Sequence, residues 1–289
     1  MKLDVILTCY NRAEKTRLCI ERLQSSASKS KYDVRLQFFV CNDGSTDNTS
    51  EILREFGESV FEITGNGKLF WAKGMAAALK AAESTEKDYY LMVNDDVLFE
   101  PNAIDILFDN YGKYTEKNPV IVGATKDDRD DSFTYGGYIW NGKALKKKMT
   151  PVKPDSKNLY CNTANWNCVL MPAEVYQVVG EIDSNYEHSF ADFDYSNRLI
   201  SAGFRMYVAN RYIGICRRND VEGTWRDKNL DCRKRIQLLH RPNGFPPKSS
   251  WRYARKYYGF AAPIIFIKPY ISILMNSFGK KGGNGDSNT

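Results

Sequence analysis

Several familiar signatures are missing from this chain, and each absence removes a class of protein. None of the seven cysteines (Cys9, Cys19, Cys41, Cys161, Cys168, Cys216, Cys232) stands in a CxxC pair, and their number is odd. That argues against a disulfide framework and against a structural zinc site. Zinc-finger spacing and RNP-type aromatic motifs are also lacking, so nucleic acid is not an expected partner despite a net charge of +6. No apolar run reaches the roughly 20 residues that span a bilayer. The longest candidate, residues 260–278, is broken by Pro263, Lys268 and Pro269. The N-terminus enters a strand-like run at residues 3–8 without a signal-peptide core. Together with the unpaired thiols, this predicts a cytoplasmic location.

What is present fits a folded soluble chain: 289 residues, 43% hydrophobic and 26% charged. At this length roughly 75% of the unfolded surface can be buried. The basic excess is uneven. Lys146, Lys147 and Lys148 form one cluster; Arg233, Lys234, Arg235, Arg252, Arg255 and Lys256 belong to another. Such clusters suit phosphates or acidic lipid head groups, and equally suit a plain solvated face. Residues 279–289 are short, polar and Gly/Lys/Asn-rich, which predicts disorder.

Strand-like and helix-like segments alternate through the first hundred residues. Strands are expected at 3–8, 34–41, 60–63 and 89–93, and helices at 12–25, after Asp43 to residue 56, and at 72–84. Ser45 or Asp47 is placed to cap the second helix. This alternation predicts an α/β fold with a parallel sheet and helices on both faces, in which ligands bind beyond the carboxyl ends of the strands. Further on, 143–157 reads as a Lys/Pro-rich loop, 169–171 as a strand followed by Pro172 opening a helix, 190–202 as a helix and 205–209 as a strand. From about residue 228 basic and aromatic residues dominate. There, 260–278 fits an interfacial helix beside basic residues, or a helix packed on the rest of the protein.

Three polar clusters fall at that rim. Cys41-Asn42-Asp43-Gly44-Ser45-Thr46-Asp47 follows a strand; its carboxylates can cap a helix or accept from ribose hydroxyls and base N–H groups. Asn94-Asp95-Asp96 ends an apolar strand. Adjacent carboxylates repel unless a cation neutralises them, and oxygen ligands beside phosphates select Mg²⁺ or Mn²⁺; a solvated turn is the other reading. Phe190 through Arg198 contains Asp192 and Asp194 at a helix start, where the dipole favours negative charge. Asp194 and Arg198, four apart, form a natural ion pair, which leaves Asp192 free to act as a general base.

With these motifs in order, the chain resembles the glycosyltransferase family 2 enzymes and their GT-A fold over nearly its whole length, nearest to bacterial rhamnosyltransferase-like members. Thr8-Cys9-Tyr10-Asn11-Arg12 matches that family's first nucleotide-binding turn, and Asp43-Gly44-Ser45 with Asp47 its second. Gly65-Asn66-Gly67, with Phe70, Trp71, Lys73 and Gly74, resembles the stretch beneath the base and pyrophosphate. Asn94-Asp95-Asp96 with Pro101 matches the metal-binding DxD turn, with Asn94 in place of the first Asp. Asn165-Trp166-Asn167 is similar to the donor–acceptor loop. His188 through Arg198 resembles the ED-type motif, with Ala191 where Glu is common.

The resemblance implies Thr8, Tyr10, Asn11, Arg12, Asp43, Gly65, Asn66, Lys73 and Asp95 at the nucleotide. It implies Trp166, Asn167, Asp194 and Trp225 at the sugars, and Asp192 as catalytic base. Asp96 would hold Mg²⁺ or Mn²⁺, with Cys216 standing where the family often carries a metal-binding His. The implied domains are a catalytic one at 1–227 (nucleotide-binding half about 1–100, acceptor half about 101–227) and a helical extension at 228–289, disordered from about 279. The implied partners are a nucleotide-sugar donor and a glycan or lipid-diphosphate-linked acceptor, with peripheral contact at the inner membrane face through the C-terminal segment. The implied reaction is inverting transfer to a hydroxyl. Two rivals remain: an inert nucleotide- or glycan-binding module, and a sugar nucleotidyltransferase, which the glycine-free first loop disfavours.

Overall fold

The computed structural model describes residues 1–141 and 148–278. Lys146, Lys147 and the tail expected from 279 lie outside these residues. The strands are β1 (Lys2–Cys9), β2 (Arg35–Asn42), β3 (Val60–Thr64), β4 (Tyr89–Val93), β5 (Leu98–Phe99), β6 (Val120–Lys126), β7 (Gly137–Asn141), β8 (Lys148–Pro151), β9 (Tyr160–Cys161), β10 (Thr163–Ala164), β11 (Cys168–Pro172) and β12 (Met206–Ile215). The helices are α1 (Ala13–Ser28), α2 (Thr49–Glu55), α3 (Phe70–Ala82), α4 (Ala103–Tyr111), α5 (Ala173–Val179), α6 (Ala191–Ser201), α7 (Cys232–Leu239), α8 (Pro247–Tyr258) and α9 (Ala262–Phe278).

Helical periodicity explains how the crossovers pack. In α3, Ala72, Met75, Ala78, Leu79 and Ala82 are buried on one side, and alanine favours the helix intrinsically. In α1 the buried side carries Cys19, Ile20 and Leu23. The strands between them are apolar almost throughout, as strands covered on both faces must be: β1 buries Leu3, Val5, Ile6 and Leu7, and β4 buries Leu91, Met92 and Val93. Val5 pairs with Phe38 of β2 on one side and Leu91 of β4 on the other.

The main sheet runs in the order β3-β2-β1-β4-β11-β6-β12-β5, with β9 also paired to β12. β3, β2, β1 and β4 are parallel, as expected. The chain winds outward from β1 to β3, then returns to the other side of β1 for β4, which makes the gap between β1 and β4 a topological switch point. Beyond β4 the expectation of a parallel sheet fails in part: β11 runs antiparallel to both β4 and β6, while β6 and β12 are parallel to each other. The Lys/Pro-rich loop expected at 143–157 contributes β8, which joins β7 and β10 in a separate three-stranded antiparallel sheet.

The described chain divides into two compact units. One comprises Met1–Asn141, Lys148–Glu187 and Ala191–Arg218; the other contains His188–Phe190 and residues 219–278. The border at 218 lies ahead of residue 227, where the composition changes. In the second unit, Asp231 caps α7 by accepting from Lys234 N at 2.9 Å. Phe190, Phe245, Tyr253 and Trp225 form an aromatic cluster there, with ring centroids 5.1–5.5 Å apart. The helical run from Pro247 to Asn276 is, by length and composition, apolar enough to cross a bilayer.

Candidate active site

The loops that leave β1, β2 and β4 converge beside the switch point. Asn11 takes a left-handed backbone (φ +50°) that lets it face the neighbouring loop. Its N–H donates to Ser45 Oγ at 3.0 Å, and its Oδ1 accepts from Thr46 N at 2.7 Å. Asp47 accepts from Ala13 N, at the start of α1, and from Thr49 N, at the start of α2. Asp47 therefore serves two helix starts, while Asn48, the residue at the α2 N-cap, makes no side-chain cap bond.

Asp43 is buried, and its carboxylate accepts three backbone N–H groups: Gly67 at Oδ1, Leu69 and Phe70 at Oδ2, all at 2.9 Å. Expected as a direct nucleotide ligand, it organises the 65–70 loop through these three bonds. Phe70 is held at φ +53° at the first position of α3; such strain in a non-glycine residue marks a segment fixed by its surroundings. Gly74 explains how closely α3 approaches β1: a Cβ there would lie 2.3 Å from Thr8 Oγ1. Thr8 Oγ1 in turn donates to Cys41 O at 3.0 Å, tying the ends of β1 and β2.

At the switch point itself Arg12 Nη1 donates to Asp95 Oδ1 at 2.9 Å and to Asp96 Oδ2 at 3.2 Å. The Asp95 side chain is 5% exposed and that of Asp96 26%. Burial pushes Asp95 up to about 6, with Arg12 pulling against it and the Asp96 charge adding to it. Asn94 adds structural support: its Oδ1 accepts from Trp71 Nε1 at 2.9 Å, and its N–H donates to Asn167 O at 3.0 Å.

These residues fit a divalent cation of the oxygen-seeking kind. Asp95 and Asp96 are crowded carboxylates whose mutual repulsion already recruits a guanidinium. Asp96 is the more open of the two. Among the described residues no group of three or more His, Cys, Asp and Glu could hold a metal alone. Donor phosphates would have to supply the remaining ligands. Cys216, expected as a further metal ligand, is buried and its thiol lies 3.6 Å from Asp96 Oδ1 as a hydrogen-bond donor. Burial and the Asp96 charge push the thiol far upward, and oxygen-seeking cations favour carboxylates over sulfur.

The segment before β11 links this cluster to α6. Asn167 is buried and its Nδ2 reaches Cys216 Sγ at 3.7 Å. Two residues earlier, the Asn165 side chain donates to Asp192. Asp192 also accepts from Phe193 N at 2.8 Å. Desolvation pushes Asp192 up to about 7 against both hydrogen bonds, a value suited to accepting a proton near neutrality. Trp166, between the two asparagines, was expected at a sugar; it is 2% exposed, donates Nε1 to Ser196 Oγ at 3.0 Å and meets Tyr195 edge-on. It clamps α6 to the loop. Asp194, also expected at a sugar, is fully buried and accepts from Arg198 Nε at 3.1 Å and Tyr186 Oη at 3.2 Å. Helical geometry points it inward, opposite in role to Asp192.

Arg12, Asp95, Asp96, Cys216 and Asn167 thus join one chain of contacts, which the 165–167 segment continues to Asp192, while Thr8, Asn11 and Asp43 tie the neighbouring loops together. Tyr10 and Asn66 lie exposed at its margin, Gly65 beside Asp43, and Lys73 half-exposed in the first turn of α3. Trp225 belongs to the second unit, with Phe245 against its ring and the Arg226 guanidinium 5.0 Å above it. Asn165 and Ser196 were missed as individual residues. Asn165 carried a signal, the motif in which it stands; Ser196, mid-helix, carried none.

The family model for glycosyl transferase family 2 matches residues 4–167, more than half of the chain and all of the switch-point loops. The chain belongs to glycosyl transferase family 2. Two curated relatives are similar over 152 residues at 28% identity: a chondroitin synthase of Pasteurella multocida (strain Pm70) and a hyaluronan synthase of Pasteurella multocida. Each match takes in 51% of this chain but only 15% and 14% of the relative's length. Among solved structures, the mannosyltransferase PcManGT from Pyrobaculum calidifontis, in complex with GDP-Man and Mn²⁺, superposes with a TM-score of 0.58 at 13% identity. That superposition covers 99% of this chain and 76% of the neighbour. It establishes a GT-A glycosyltransferase fold for this family 2 member.

Proposed function

We propose that the protein is an inverting, divalent-metal-dependent glycosyltransferase. It moves a sugar from a UDP- or dTDP-linked donor to a hydroxyl of a glycan or lipid-linked glycan, in bacterial surface polysaccharide synthesis. The observation that carries this reading is the joining, through 165–167, of a carboxylate poised near neutrality (Asp192) to the carboxylate pair at the switch point. The Mn²⁺ and GDP-Man of the mannosyltransferase with the same fold support the cofactor and the donor class. Bound Mg²⁺ or Mn²⁺ supplies positive charge for the departing diphosphate.

In the reaction, Asp192 accepts the proton of the acceptor hydroxyl while that oxygen bonds to the anomeric carbon. The bond from that carbon to the donor's phosphate oxygen breaks in the same displacement, so the configuration inverts. A positioned base contributes roughly 10² to 10⁴-fold to such a step. Asp96 would hold the cation, and Asp95 and Arg12 would set the charge around it. Asp43 keeps the 65–70 loop and the first turn of α3 in place beneath the nucleotide, and Asn165 orients the base. The test is a thermal-shift screen of nucleotide sugars with Mn²⁺. A donor at a hundred times its Kd adds about 2.7 kcal/mol of stability, so a rise in Tm confined to UDP- or dTDP-sugars and dependent on metal is expected. A screen in which no nucleotide sugar moves Tm would defeat the reading.

A further inference from the structure

The second unit carries a surface that the catalytic site does not use. Residues 232–278 contain nine Lys and Arg and no Asp or Glu. On α8, Lys248, Trp251, Arg252, Arg255 and Lys256 line one open depression of about 620 Å³. Their spacing, i, i+3, i+4, i+7 and i+8, places them on a single helical face. α9 follows after Gly259 (φ +52°), and is apolar nearly all the way round. Its inner side is buried: Ala262 and Ile273 are at most 2% exposed, Phe266 meets Trp251, and Tyr270 hydroxyl pairs with His240 at 2.9 Å. Its outer side is Ile264, Ile267, Ile271, Leu274 and Met275, 43–70% exposed, at spacings that make one stripe about 100° wide. Phe260, in the connection between the two helices, is fully exposed.

We propose that this surface docks on an anionic lipid bilayer, with α9 lying in the plane of the interface and α8 presenting its basic face to the head groups. A contiguous apolar stripe facing solvent marks a docking site, and charge decides the occupant. A surface rich in cations and free of acidic residues complements acidic head groups. Exposed Trp251 and Phe260 and the neighbouring Tyr257 and Tyr258 are the aromatics that settle at a membrane interface. Lys268, exposed at the stripe's edge, can keep its stem in the apolar layer and its ammonium outside. The run Pro247–Asn276 is long and apolar enough to cross a bilayer, but Gly259 (φ +52°) interrupts it. α9 alone reaches about 25 Å, short of a ~30 Å hydrocarbon core, and its inner side packs on α7 and α8, which favours a place in the interface.

The experiment is flotation of the full chain with vesicles of phosphatidylcholine, with and without phosphatidylglycerol, at low and high salt. The wild type floats with the anionic vesicles and less so at high salt. Arg255→Gln weakens partitioning about fivefold, the effect of one basic residue near a charged membrane. Ile267→Glu with Ile271→Glu abolishes flotation while melting as the wild type does, because both positions are exposed. Absence of flotation with anionic vesicles overturns the proposal. So does undiminished flotation of the double variant, or resistance to carbonate extraction, which would mean a spanning helix. A wild-type dimer that the double variant dissociates, without lipid binding, would assign the stripe to a second copy of the chain instead.

Discussion

Arg12 Nη1 stands 2.9 Å from Asp95 Oδ1, and the same nitrogen reaches Asp96 at 3.2 Å. One side chain from the loop after β1 thereby bridges two carboxylates from the loop after β4, across the switch point. Removing it leaves a buried carboxylate without its counter-charge. Breaking a buried pair costs about 3–5 kcal/mol, and the half-exposed state of Arg12 reduces that here to about 2 kcal/mol. Arg12→Met is therefore expected to melt several degrees lower, and Mn²⁺ with UDP should raise its Tm by more than it raises the wild type's. Equal shifts in the two proteins, by differential scanning fluorimetry, would contradict the shared charge site.

Asp192 should reveal itself in stability as well as rate. Its folded pKa of about 7 stands above the unfolded value of about 3.9. A carboxyl raised on folding binds more protons in the folded state, so its contribution to stability falls as pH climbs between those two values. Asp192→Asn removes the desolvated charge. It is expected to melt above the wild type at pH 8, with the gain shrinking as pH is lowered toward 4. A gain of the same size at both ends would separate the effect from ionisation.

Asn165 donates to the charged form of Asp192, which lowers the pKa of that carboxylate. Asn165→Ala should therefore move the acidic limb of kcat/KM to higher pH than in the wild type, while activity at pH 9 falls far less. A uniform loss across the pH range with no shift of the limb would give Asn165 a purely structural part.

Gly74 allows α3 to lie against Thr8. The added methyl of Gly74→Ala has no room, and forcing a group into such contact costs about 1–3 kcal/mol. The expected result is a lower Tm and weaker nucleotide binding by calorimetry. Gly112→Ala, whose Cβ would meet only ordinary contacts from 3.6 Å, should match the wild type in both.

Much of this arrangement was legible in the sequence because it is local. Apolar runs ending in polar clusters mark strands that deliver side chains to one rim; the Asp194–Arg198 pair follows from spacing, while Asp96 and Asp192 were singled out by the resemblance of their motifs to the family's. What was not legible depends on partners distant in the chain. Strand direction is set by where the chain re-enters the sheet, so the antiparallel β11 leaves no trace in periodicity. Asp43 and Trp166 occupy motif positions, yet their contacts, three loop amides and Ser196, lie 24 to 30 residues away. A motif locates a residue; only packing decides whether it faces ligand or core.

The central claim, that Asp192 is the base of a glycosyl transfer, is tested most directly by pairing two numbers for Asp192→Asn. These are the Kd for UDP with Mn²⁺ from calorimetry and the single-turnover rate of sugar transfer. The account predicts an unchanged Kd and a transfer rate reduced about 10² to 10⁴-fold. Transfer at the wild-type rate with nucleotide still bound would contradict it.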